Sequence, residues 1–151
     1  MTPNDQDLPR WRPLLRISAR AWLGVIEGDE GTLWTGDEAG RCRQVDPDGH
    51  IGCLPLLERP YDEVRAELSR GANTWAPATR IAMNRVVPAG VIEAAFRIGT
   101  DYWLRRACTW LEALGPSEQT AVWALRLENA TGATQATRHE ARRVRRSWPP
   151  S

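Results

Sequence analysis

Apolar and polar positions fall into two regimes that meet near Pro60. Before it, Leu15, Ile17, Ala19, Ala21, Leu23 and Val25 alternate as on a strand, while Leu15, Ala19, Trp22, Leu23 and Ile26 also fit one face of a helix. Gly24, the β-branched Val25 and Ile26, and the turn Gly28-Asp29-Glu30-Gly31 tip the segment to strand, and residues 32–35 then complete a hairpin. A second hairpin is expected where residues 41–45 and 50–54 flank Asp46-Pro47-Asp48-Gly49, because Pro presets φ and Gly accepts a positive one.

Beyond Pro60 the period is helical. Helices are expected over 62–70, closed by Gly71, over 78–86, and from Pro88 to residue 98, ended by Gly99. The best-formed runs over 102–114, capped by Thr100 or Asp101 and stopped by Gly115-Pro116. Ser117 caps a fifth towards Asn129, although Ala121, Trp123, Leu125 and Leu127 also alternate as on a strand. A last helix over 133–146 has only Ala133, Ala136, Ala141 and Val144 as an apolar edge, which places it on the surface or lets it fray.

Strands first and helices after predict an α+β fold. A small N-terminal antiparallel sheet, with hairpins within 15–54, is covered by a C-terminal helical layer over 61–146; a mainly helical fold is the alternative. Residues 1–13, with Pro3, Pro9 and Pro13, read as an extended lead-in, 14–129 as one globular domain, and 130–151 as an arginine-rich helix and tail. The run GTLWTGDEAGRCRQVDPDG, from Gly31 to Gly49, resembles one outer-strand motif of a β-propeller blade, as in sugar-lactonase-like propellers. It occurs once where a propeller needs several copies, so the resemblance implies strand–turn–strand geometry and no more.

Composition adds two facts to this pattern. Eight of the 151 residues are tryptophan against one phenylalanine and two tyrosines, and all 20 basic side chains are arginine. Both types concentrate binding energy, since each offers a large contact area with a polar or planar handle. Trp103 and Trp110 share an amphipathic stripe, Trp22 and Trp34 belong to the expected sheet, and Trp123 lies in an apolar run, so these five are expected in the core. Trp75 is open between core plug and surface anchor. Trp11 and Trp148, each among arginines near a chain end, are the recognition candidates.

The formal net charge is +1, yet charge is segregated. Residues 27–48 carry Glu27, Asp29, Glu30, Asp37, Glu38, Asp46 and Asp48 against Arg41 and Arg43, and residues 138–148 carry Arg138, Arg142, Arg143, Arg145 and Arg146 against Glu140. Such patches steer partners or neutralise each other within a fold. No apolar run approaches a membrane span, and the first 25 residues hold Asp5, Asp7 and arginines with no apolar stretch, so no membrane partner and a cytoplasmic setting are expected. Cys42, Cys53 and Cys108 are expected as reduced thiols.

Chemical motifs are sparse. Cys42, His50 and Cys53 would give a zinc ion three ligands where a structural site takes four, and a calcium loop begun at Asp46 would place Ile51 and Leu57 where Gly and Glu are required. Neither metal nor cofactor is expected. Phosphate loops, nucleophile elbows and dinucleotide fingerprints are missing from the sequence, which sets an enzyme aside. The expectation is a non-catalytic macromolecule-binding protein whose partner is another protein, in the manner of an immunity or antitoxin protein or an accessory factor. Asp29, Glu30, Asp37, Glu38, Trp11 and Trp148 are its candidate contacts. The alternative is nucleic-acid association through Arg138, Arg142, Arg143, Arg145 and Arg146.

Overall fold

Leu15, Ile17, Leu23 and Val25 are all buried, which resolves the competing periods in favour of strand. The structure, a computed structural model, describes residues 10–45 and 50–150. Four strands, β1 (Trp11–Ser18), β2 (Ala21–Ile26), β3 (Asp29–Gly36) and β4 (Cys42–Gln44), form an antiparallel meander in the order β1-β2-β3-β4. A turn at Ala19-Arg20 splits the first predicted strand into two. Trp11, Arg12 and Pro13, read from sequence as lead-in, extend β1 by pairing with Ile26, Val25 and Gly24.

The second hairpin is corrected. β4 forms, but it pairs back onto β3 through Trp34–Gln44 and Gly36–Cys42, and residues 50–54 are not a strand. The expected turn at residues 46–49 lies outside the described residues. Ile51–Glu58 is a 3-10 helix. The reason lies in its burial: Cys53, Leu54, Leu56 and Leu57 are inside, an i, i+3 repeat that three residues per turn place on one face, whereas a strand would bury every second residue.

The helices follow the predicted order: α1 (Tyr61–Ala72), α2 (Pro77–Arg85), α3 (Val91–Ile98), α4 (Asp101–Leu114), α5 (Glu118–Glu128) and α6 (Gln135–Ser147). Gly71 lies inside α1 and does not close it. A single wide turn over Val86–Gly90, with Val87 extended, delays α3 until Val91. Gly99 and Gly115 end α3 and α4 with positive φ, a conformation open to glycine. Ser117 and Thr120 form a reciprocal capping box on α5.

The fold is therefore α+β, with the helices in two tiers. One core gathers Leu15, Leu23 and Val25 from the sheet with Leu56, Val64, Met83 and Trp110. A second gathers Ile92, Leu104, Leu111, Trp123, Leu127 and Val144 from α3 to α6. Helix α4 serves both, sending Ala107 and Trp110 to the first and Leu104, Cys108 and Leu111 to the second. Helix α6 does not fray: Ala141 and Val144 are fully buried against α4 and α5.

Close packing on the other side of the sheet is tightest at Gly24. A methyl group on Gly24 would stand 2.2 Å from the Arg12 carbonyl oxygen and 2.8 Å from the Trp11 ring. Gly24→Ala is therefore expected to cost about 3 kcal/mol of stability, as overpacking does, whereas Gly28→Ala, with open space but a φ of 89°, costs about 1 kcal/mol. Urea denaturation compares them, and equal costs would contradict the close approach of Trp11 and Arg12 to Gly24.

Candidate functional site

Alternation along β2 and β3 divides the tryptophans. Since Leu23 and Val25 point into the core, Trp22, Gly24 and Ile26 point the other way, and cross-strand pairing brings Trp34 opposite Gly24, Gly36 opposite Trp22, and Trp11 opposite Ile26. This outer face thus carries three indoles. The Trp11 ring lies across Gly24 and Gly36, near enough that a Cβ at either would sit 2.8 Å from it. Glycine there leaves the gap that the ring fills.

Trp11, Trp22 and Trp34 are half-buried and pack into neither core. The Arg16 guanidinium stands 5.8 Å from the centre of the Trp22 ring, within cation–π range, and donates to the Ser18 and Ala19 carbonyls. The Trp34 Nε1 is shielded from water and has no hydrogen-bond acceptor.

Trp22 and Trp34 are thus corrected from core residues to face residues. Trp110 and Trp123 are buried as expected, each with its N–H satisfied, by the Arg59 carbonyl at 2.9 Å and by Glu93 at 2.8 Å. Trp103 and Trp75 pack half-buried on the first core, and Trp148 packs half-buried on the second, so Trp148 is a structural contact of the C-terminal segment. A sequence signal for the face did exist. Trp22-x-Gly24-x-Ile26 and Trp34-x-Gly36 set aromatic and glycine on one side of each strand, opposite Leu23, Val25 and Leu33.

The acidic candidates do not gather. Asp29 pairs with Ile26 and Gly36 with Trp22, so Asp29-Glu30 and Asp37-Glu38 stand at opposite ends of the sheet, four β2 residues or about 13 Å apart. Most of them also hold turns. Asp29 accepts the Thr32 hydroxyl, Glu30 accepts the Gly28 N–H, and Asp37 accepts the Ala39 and Arg41 N–H groups and the Arg41 guanidinium. Slight desolvation opposes its charge, but these Arg41 and Ala39 contacts hold the Asp37 carboxyl below its ordinary range. Glu38 is exposed.

The arginines of α6 are largely committed to carboxylates. Glu128, with a side chain 4% exposed, takes both nitrogens of the Arg145 fork at 2.9 and 3.1 Å, and Arg142 at 3.3 Å. Arg143 bridges Glu112 on α4 at 3.0 Å and Glu140 on its own helix. Among the described residues Arg138 and Arg146 meet no carboxylate. An arginine held this way must leave its partner before it can grip a phosphate.

Cys53 and Cys108 are buried free thiols, each pushed up to about 12 by burial, so neither is a thiolate near neutrality. Cys42 is exposed on β4. Among the described residues no group of three or more His, Cys, Asp or Glu side chains is placed to hold a metal ion, and no helix is long and apolar enough to cross a membrane. Compared with known proteins, the chain matches no family model, no curated protein and no solved structure. The architecture is that of an α+β protein.

A further acidic contact anchors the start of the arginine-rich helix. Asp101, in the first turn of α4, accepts the Thr134 N–H and the Thr137 hydroxyl, both at 2.7 Å. These bonds hold its carboxyl below the ordinary value of 3.8. A depressed folded value contributes stability that is full above 3.8 and lost as pH falls through the folded value. Thermal unfolding from neutral pH downwards should show Asp101→Asn less stable than the native chain at pH 7, with the gap closing below about pH 4. A gap independent of pH would contradict it.

Proposed function

We propose that the protein acts by binding another protein and that the outer face of the sheet is its contact surface. The observation that carries this reading is three partly exposed indoles on one sheet face, outside both cores. Tryptophan beside arginine is the composition of interface centres, and the Asp29 and Glu38 carboxylates at the two ends would form a polar rim. Within this class the role is that of an immunity or antitoxin protein or an accessory factor, acting without catalysis in the cytoplasm. Small size and the indole face support that role.

The alternative, nucleic-acid association through α6, is weakened by the ion pairs of Arg142, Arg143 and Arg145. Arg138 and Arg146 keep it open.

Affinity capture from a native lysate separates the two. A Trp22→Ser, Trp34→Ser chain, shown by circular dichroism to be folded, should lose at least tenfold of a captured protein, while Arg138→Gln, Arg146→Gln keeps it. Loss on the arginine variant instead, or recovery of nucleic acid alone, would overturn the protein-binding reading.

A further inference from the structure

The outer face has a geometry that selects among protein partners. Trp34 and Trp22 are diagonal neighbours across β3 and β2, so their positions are about 7–8 Å apart. The Trp11 ring lies across Gly24 and Gly36, on the same face. A polyproline II helix advances about 9 Å per turn of three residues, so successive turns of proline rings meet successive indoles.

Hydrogen bonding and charge narrow the choice further. Polyproline II has no internal hydrogen bonds, so each carbonyl along it is an available acceptor. The face holds a donor in want of one, Trp34 Nε1, which is shielded and unmatched, so a bound carbonyl would be met by the indole turning outward. Arg16, beside Trp22, and Arg20, in the turn that follows β1, are exposed, and neither guanidinium meets a carboxylate among the described residues. That edge suits an acidic residue beside the prolines. A continuous phosphate backbone is disfavoured, because exposed Glu27, Asp29 and Glu38 stand at the turns that bound the same face.

We propose that the outer face of the sheet binds a proline-rich segment of a partner protein, in the polyproline II conformation, with an acidic residue next to the prolines. This rests on the reading of that face as the protein-contact surface. The mode is aromatic recognition of a preformed extended helix, which loses little conformational freedom on binding.

Titration of the full chain with a fluorescent oligoproline peptide flanked by aspartates tests it, against a glycine–serine peptide with the same flanks, an oligoproline with neutral flanks, and an oligothymidine. The aspartate-flanked oligoproline should bind saturably and best. Trp34→Phe keeps a ring but removes the N–H, so it should weaken that peptide by about tenfold while leaving the melting temperature unchanged or higher, because an unmatched buried donor is gone. Arg20→Ser, at an exposed position in the turn after β1, should weaken only the aspartate-flanked peptide. No saturable oligoproline binding, equal binding of the glycine–serine peptide, preference for the oligothymidine, or indifference to both variants overturns the proposal. If proline peptides fail while Trp22→Ser, Trp34→Ser still loses the captured protein, the face stands as a contact surface and only its proline-rich occupant falls.

Discussion

Arg59 is the residue on which sheet and helices depend for their relation to one another. Its guanidinium donates to the Arg16 carbonyl on β1 at 2.7 Å and to Glu63 and Glu67 on α1, and its own carbonyl accepts the Trp110 indole of α4. Glu67 in turn accepts the Arg16 N–H. Burial works against the charge of Arg59, but hydrogen bonds to Glu67 and Glu63 outweigh it and raise its pKa. Both backbone groups at the open edge of β1 are thereby used at residue 16, so the edge is closed to further strand pairing there. The side of the sheet that the helices cover is the one to which β1 and β2 turn Leu15, Ile17, Leu23 and Val25.

Once that side is covered, the rest of the arrangement follows from supply. With one phenylalanine in the chain, the large aromatic side chains buried in its cores are the indoles of Trp110 and Trp123, and each buried indole brings an N–H that needs an acceptor. Trp110 finds the Arg59 carbonyl and Trp123 finds Glu93. Glu93 also takes Arg126 at 2.7 Å; desolvation raises its pKa, and the bonds from Trp123 and Arg126 more than reverse that. Trp34 finds nothing, and like Trp11 and Trp22 it lies on the face turned from the helices. Arginine is used in the same economical way. Arg142, Arg143 and Arg145 tie α6 to α5 and α4 through carboxylates on those helices, so the most basic stretch of the chain is mostly internal bracing.

What the sequence determined by itself is what acts within about four residues. The ends of α3, α4 and α5 were legible in Gly99, Gly115 and Ser117, because a left-handed glycine or a hydroxyl cap completes backbone hydrogen bonds in the adjacent turn. The α+β order was legible for the same reason, from a change of period near Pro60. The segment at 50–54 was not, since a short apolar run reads alike as strand or helical turn until its burial is known.

Tertiary structure decided everything that depends on which residues face each other. Trp22 and Trp34 alternate with core residues, and only the position of the helical layer makes theirs the outer face. Arg145 and Glu128 stand 17 residues apart, and Arg143 and Glu112 stand 31, so charges that look segregated along the chain are neutralised across helices. Aspartate pairs close in sequence were sent the other way, to opposite ends of the sheet. Composition supplied the tryptophans and arginines, but register and packing chose which of them hold the fold and which face outward.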